Sequence, residues 1–162
     1  MVHTLTIPKN ITHGDELIVV RRDEFEALKK HLLEHEHEIE DLGALEFNID
    51  DDYPDFAGAV AAKVSEAPSF NRGILICGSG HGTDMVANKF KGVRAALCFN
   101  RKVAAQSREH EDANILVLAS DWLKEAEAKD LVAAWLGTQF SGEERHIRRL
   151  RKIREIEEKN FK

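Results

Sequence analysis

Short runs of branched and small apolar residues alternate along this chain with longer stretches of helical period, and that alternation leaves few architectures open. The runs are Leu-Ile-Val-Val at 17–20, Ile-Leu-Ile-Cys at 74–77, Ala-Ala-Leu-Cys at 95–98 and Ile-Leu-Val-Leu at 115–118, with a weaker one at 38–42. Apolar residues on both parities of a strand leave neither face for water, so such strands belong inside a parallel sheet covered on both sides. Helical patterns fill the intervals at 23–35, 54–66, 83–91, 101–110 and 121–136. Pro54 suits a first helical turn, where its missing N–H costs nothing, and Asp121 is placed to cap the helix that follows it. Parallel strands joined through helices cross over with a right hand. The expected fold is α/β: a Rossmann-like three-layer sandwich with a five-stranded parallel sheet and helices on both faces.

With 162 residues, one domain over 1–162 is expected. Its two ends read differently from the middle. Residues 1–22 read as an atypical hairpin and first strand, with Thr6-Ile7-Pro8-Lys9 and Gly14-Asp15-Glu16-Leu17 as strand, turn and strand. This stretch resembles the start of small swapped-hairpin antitoxin and transition-state-regulator proteins. Five basic residues balance five acidic ones over 1–30, however, which removes the electrostatic term that dominates DNA affinity, so a structural role is expected. Residues 142–160 read as a heavily charged helix whose apolar stripe is only Ile147, Leu150, Ile153 and Ile156. A stripe that narrow suits docking against a partner subunit.

Charge and cysteine content exclude several classes. The formal net charge of -6 argues against general nucleic-acid binding. No apolar stretch approaches the ~20 residues of a membrane span, and no secretory signal core opens the chain. Two cysteines, Cys77 and Cys98, make no disulfide framework and suit a reducing cytoplasm. Ten acidic residues and no Lys or Arg lie between 31 and 55, whereas 143–162 carries eight basic residues against five acidic, and both runs read first as solvated surface. His31, His35 and His37 stand among glutamates, and a zinc site needs three or four converging ligands. They are expected to be an ordinary acidic helix end, and no metal is expected.

The most specific segment is Ile74-Leu75-Ile76-Cys77-Gly78-Ser79-Gly80-His81-Gly82-Thr83. A buried strand ends in a thiol, three glycines follow at alternate positions, and a helix begins. Such a loop turns backbone N–H groups inward at the C-terminal end of a strand, where open α/β sheets bind ligands. Its Gly-x-Gly-x-Gly spacing is not a dinucleotide fingerprint. Cys77 is either an inert core thiol or, beside an anion-stabilising loop, a base or nucleophile.

Around that loop the chain resembles the type B ribose-5-phosphate isomerases and the related galactose-6-phosphate isomerase subunits. The resemblance is carried by Cys77-Gly78-Ser79-Gly80, by Ala87-Asn88-Lys89, by Gly92-Val93-Arg94-Ala95-Ala96-Leu97-Cys98 and by Arg108-Glu109-His110-Glu111-Asp112-Ala113-Asn114. Asp52-Tyr53-Pro54-Asp55-Phe56-Ala57, Trp135-Leu136-Gly137 and Arg145-His146 through Arg149 add to it, over some three-quarters of the chain. The resemblance implies a metal-independent, cofactor-free sugar-phosphate isomerase working through a cis-enediol, as a homodimer or homotetramer with shared active sites. It implies that Cys77 is the base and that Ser79 with the amides of Gly78, Gly80 and Gly82 holds the enediolate oxygens. It implies that His110 opens the sugar ring, that Tyr53 and Asn88 belong to the substrate site, and that Arg145 and Arg149 clamp the phosphate.

The chain also departs from the family. The family's first strand ends in Asp-His-x-Gly, and the corresponding turn here reads Asp23-Glu24-Phe25-Glu26. Glu111 stands where the family has asparagine, and Asp121 where some members have an anion-binding arginine. His81, Thr83 and Asp84 replace apolar and small residues around the glycine loop. These departures keep a second expectation open, that of a non-catalytic or altered-substrate sugar-phosphate-binding paralogue.

Overall fold

The computed structural model describes residues 2–6, 11–13, 16–18, 22–35, 37–44 and 50–161. In chain order the elements are β1 (Val2–Thr6), β2 (Ile11–His13), β3 (Glu16–Ile18), α1 (Arg22–Glu34), β4 (Glu38–Asp41), α2 (Tyr53–Glu66), β5 (Arg72–Cys77), α3 (His81–Ala87), β6 (Ala95–Cys98), α4 (Arg101–Glu111), β7 (Ile115–Ala119), α5 (Glu125–Gly137) and α6 (Glu144–Asn160). The main sheet runs β4-β1-β5-β7-β6, every neighbouring pair parallel. Among the described residues, no helix is long and apolar enough to cross a membrane.

Every residue of β5 and β7 is buried, as continuous apolar runs require. Period-two alternation then divides the core between the two faces. Ile74, Ile76, Leu116 and Leu118 pack with Leu28, Leu32, Leu131 and Trp135 of α1 and α5. Leu75, Ile115 and Val117 pack on the other side with Ala57, Val60 and Val64 of α2 and Ala87 of α3.

The N-terminus differs from expectation. The first strand of the main sheet is β1, lying between β4 and β5. The 17–20 run, expected to fill that place, contributes instead to β3, which pairs antiparallel with β2 in a separate two-stranded hairpin. Its Leu-Ile-Val-Val string has the stronger apolar signal, but β1, reading Val-His-Thr-Leu-Thr, takes the interior position. The hairpin is therefore inserted after the first strand and does not extend the sheet's edge; residues 7–9 of the expected Thr6–Lys9 strand, 14–15 of the second and 19–20 of the apolar run lie outside the described residues. Asp23, Glu24, Phe25 and Glu26 are not the turn after the first strand: they fall within α1. Asp121 caps nothing, because α5 begins at Glu125 behind a capping box in which the Glu127 carboxylate accepts from the Lys124 N–H at 2.8 Å.

The N-terminal edge of the sheet is tied by two side chains. Asn114, fully buried, accepts from the Arg94 N–H at 2.7 Å and donates to the carbonyls of Gly92 at 2.8 Å and Pro68 at 3.2 Å. Arg108 donates to Asp112 at 2.7 Å and to the Ala113 carbonyl at 2.6 Å, with its guanidinium 5.5 Å from the Trp135 ring. Together they fix the end of α4 against the starts of β6 and β7. Asn114→Ala strands three backbone partners at once. At roughly 1–3 kcal/mol for a buried group left unpaired, and with partial rehydration, we expect a loss of about 2–4 kcal/mol, read as a lower urea midpoint at unchanged slope. A midpoint within error of the parent would mean that these bonds do not hold the edge together.

Candidate active site

Cys77 is the last residue of β5, 4% exposed, and its partner across the sheet is Ala119 at the end of β7. The next residues cannot continue the strand, because Gly80 adopts a left-handed φ of 75°. A methyl at Gly80 would also come within 2.6 Å of Leu97 Cδ1. The loop is laced to the connection after β7: the Ser120 N–H donates to the Cys77 carbonyl at 3.0 Å and the Asp121 N–H to the Gly78 carbonyl at 3.1 Å. Thr83, fully buried, donates its hydroxyl to the Gly80 carbonyl at 3.0 Å and holds the first turn of α3 on the loop.

Burial pushes the Cys77 thiol above its ordinary range. The amides of Gly80 and Gly78 oppose that shift, the Asp121 carboxylate adds to it, and the Thr83 hydroxyl again opposes it. A thiolate there would sit among converging donors, with one carboxylate acting against it. Cys98 is different in kind: fully buried, its sulfur lies 3.5 Å from the Ala96 carbonyl and 3.9 Å from Ser107 Oγ. Burial pushes that thiol up to about 11, the Ser107 hydroxyl opposing.

Tyr53 opens α2 and lays its ring across the same loop. A methyl built on Gly82 would fall 2.5 Å from Tyr53 Cζ and 2.8 Å from its hydroxyl, so the ring rests directly on the glycine. Asp121 lies against the start of the loop, its Oδ2 3.0 Å from where a Gly78 methyl would sit. Ser79 is half-buried. At the rim the His81 ring meets exposed Trp122 edge-on at 6.0 Å. Cys77, Gly78, Ser79, Gly80, Gly82 and Tyr53 thus belong to one cluster at the end of β5.

The other expected site residues lie elsewhere. Asn88 follows the far end of α3, roughly 11 Å along a helix that rises 1.5 Å per residue. Its side chain accepts from the Ala95 N–H at 2.9 Å and donates to the Ala95 carbonyl at 3.2 Å and the Asp84 carbonyl at 3.1 Å. Both ends of the amide are engaged in joining α3 to β6. His110, in the last turn of α4, precedes the start of β7, where Ile115 pairs with Gly73. That is the N-terminal edge of the sheet, some 13 Å from the Cys77 end at ~3.3 Å per strand residue. Arg145 and Arg149 are exposed on α6, Arg145 paired with Glu143 at 2.8 Å. The start of α6 is held at the same edge by the Ser141 N–H, which donates to the Glu109 carbonyl at 3.0 Å.

Three residues without an assigned role acquire one from the geometry. Thr83 buttresses the loop, Asp121 faces it, and His146 lies buried against His110 with ring centroids 4.3 Å apart. The spacing of Thr83 from the glycines marks a helix start, which is a usable signal. Nothing local in the sequence marks the contacts that Asp121 and His146 make, because each meets its partner through tertiary packing or an unrelated loop.

A family model described as Ribose/Galactose Isomerase matches residues 22–153. Ribose-5-phosphate isomerase B of Escherichia coli is 40% identical over 129 residues, covering 80% of this chain and 85% of that protein. The corresponding protein of Mycobacterium tuberculosis is 38% identical over 134 residues, covering 80% and 82%. The crystal structure of ribose-5-phosphate isomerase B from Mycoplasma genitalium with bound ribulose-5-phosphate superposes with a TM-score of 0.85 at 36% identity, over 98% of each chain. With a strand-end thiol, its glycine loop and the overlying tyrosine in place, and with relatives of this identity along four-fifths of its length, the chain belongs to the ribose/galactose isomerase family.

Proposed function

We propose that the chain interconverts an aldose phosphate and its ketose phosphate, of the ribose-5-phosphate and ribulose-5-phosphate type, with Cys77 as the base. The observation that carries this reading is a thiol at the end of a fully buried strand, among the amides of Gly78 and Gly80, in a loop on which the Tyr53 ring rests at Gly82. The Cys77 thiolate removes the C2 hydrogen as a proton, the C–H electron pair forms the C1–C2 double bond, and the C1 carbonyl oxygen takes the negative charge. The thiol returns the proton to C1, while the C2 hydroxyl passes its own proton to the C1 oxygen and becomes the ketone. Ser79 and the amides of Gly78, Gly80 and Gly82 hold the enediolate oxygens, dipoles already aimed where charge develops. The steps need no metal or cofactor.

His110 supplies the proton that opens the cyclic sugar, and Arg145 with Arg149, four residues apart on α6, grips the phosphate. Since these groups lie at the opposite edge of the sheet from Cys77, a complete site takes its thiol from one copy and its imidazole and guanidinium groups from another. The working form is then a homodimer, or a tetramer of such dimers. Surface chemistry supports this: β6 is an edge strand, Ile147 and Ile156 of α6 are more than half exposed, and a groove of about 470 Å³ lies between them, lined by Val93, Ala95, Ala96, Ile153, Ile156 and Phe161. A reducing cytoplasm suits an enzyme that depends on a free thiol.

Cys77→Ser should lower turnover by about 10²–10⁴-fold, the usual worth of a positioned general base, with melting temperature and phosphate affinity nearly unchanged. Cys98→Ser, which alters only packing, should keep activity within a few-fold. Equal losses for the two would withdraw the base assignment. Mixing inactive Cys77→Ser chains with weakened Arg149→Ala chains tests the shared site, because random re-pairing leaves about a quarter of the sites intact. Recovery of about that fraction is expected after exchange of subunits, and no recovery would place both residues in one chain's site.

The pH profile has a fixed sign. A thiol raised by burial is mostly protonated at neutral pH, so kcat/KM should climb with pH into the alkaline range. Asp121→Asn removes a carboxylate that disfavours the thiolate, and the rising limb should move to lower pH, with several-fold higher activity at pH 7. An unmoved limb would mean that Asp121 does not act on the titrating group.

A further inference from the structure

We infer that His146 is a positioning residue, which fixes the orientation of His110 for opening the sugar ring; this rests on the ring-opening role proposed for His110. The geometry at His110 raises the question. Among the described residues no hydrogen bond reaches either of its nitrogens, and its nearest charged neighbour is Glu109, with Nε2 to Oε2 at 3.8 Å. A general acid held by no hydrogen bond needs some other restraint on its ring.

The restraint is the neighbouring imidazole. His146 is 1% exposed, and its ring lies 4.3 Å from that of His110 at an interplanar angle of 34°. It is fixed in turn, because its Nδ1 lies 2.8 Å from Ser141 Oγ, and the Ser141 N–H donates to the Glu109 carbonyl. Phe140 closes another side, its ring centroid 6.5 Å away. The serine that anchors His146 is thereby tied to the residue preceding His110, so both rings are referenced to one turn of α4.

His146 also has a feature that packing alone does not explain. Its Nε2 is buried and finds no partner among the described residues. A phenylalanine or leucine would fill the space without stranding a polar atom, and a buried group left unpaired is costly. An imidazole there keeps a short hydrogen bond to Ser141 that no apolar ring could make, and that bond sets the plane against which His110 rests.

Ring opening requires a proton at the ring oxygen as the C1–O bond breaks, its electron pair leaving on that oxygen, while the anomeric hydroxyl releases its proton to water and becomes the C1 carbonyl. Ribose 5-phosphate needs this step. Ribulose 5-phosphate does not, because its C5 oxygen is esterified and cannot close a five-membered ring onto C2. Two readouts therefore separate His110 from Cys77: consumption of ribose 5-phosphate, and exchange of the C1 hydrogen of ribulose 5-phosphate in deuterated water.

For His146→Leu and for the milder Ser141→Ala we expect ribose 5-phosphate consumption to fall, roughly 10- to 100-fold for the first, as misplacement by about an ångström does, and less for the second. Exchange into ribulose 5-phosphate should stay within two-fold of the parent for both. His110→Asn is the reference and should show the same split. If His110→Asn shows it while both other variants behave as the parent, His146 does not position His110. An equal loss of both activities in the His146 and Ser141 variants would make their role one of general folding and would overturn the inference. If His110→Asn spares both activities, or the unmodified chain exchanges no deuterium, the reading on which it rests fails first.

Discussion

Complete burial of β5 decides where chemistry can occur in this molecule. Strands lie on both sides of it and helices on both faces, so each of its residues from Arg72 to Cys77 is withdrawn from water. The first backbone groups free to address a ligand are those that follow Cys77. The left-handed turn at Gly80 then keeps the chain from leaving the sheet and aims its amides back towards the strand end. Neighbouring elements are set by that turn: Thr83 bonds to its carbonyl, Ser120 and Asp121 bond to the carbonyls before it, and Tyr53 rests on Gly82. A side chain at Gly80 would displace Leu97 and so pry β6 from the loop.

The parallel sheet has a second consequence. All strands point one way, so strand-end loops gather at one edge and helix C-termini at the other. The thiol belongs to the first set, and His110 belongs to the second. No rotation of side chains moves a group from one edge to the other, so a reaction that uses both must be assembled from two copies. In the proposed assembly the exposed isoleucines of α6 and the open edge of β6 fit this division, since a surface that completes a neighbour's site is not covered by its own chain.

How far the sequence could be read follows from which signals are local. The runs at 74–77, 95–98 and 115–118 are strands because burial on both faces writes itself into consecutive apolar residues, and the glycine loop is visible because backbone geometry excludes side chains. The first strand was not legible in this way. Val2–Thr6 carries polar residues at positions 3, 4 and 6, while 17–20 is continuously apolar and its Leu17 and Ile18 belong to a hairpin. Periodicity ranks segments by apolarity, yet the place in the sheet is decided by pairing, which periodicity does not contain. Asp121 was misread for a related reason: an aspartate ahead of a helical pattern resembles a cap, but the helix starts four residues later and the carboxylate turns to the loop after β5. Asn88 was legible as a motif, yet its engagement with Ala95 is a property of the packed chain alone.

The thiol illustrates how one set of dipoles can serve two charges. Burial disfavours the anionic sulfur, and the amides of Gly80 and Gly78 offset part of that cost. In the proposed reaction the negative charge leaves sulfur as the proton is taken and appears on the oxygens of the enediolate. If the same loop amides face both positions, the charge moves within a single field of fixed dipoles and no solvent need reorganise around it. Asp121 stands outside that arrangement as a carboxylate where a cation would help both anions, and its exposure to water limits the damage by screening. In the proposed reaction, retaining the dipoles while carrying the wrong sign at the rim leaves the proton transfer intact and changes the conditions under which it runs.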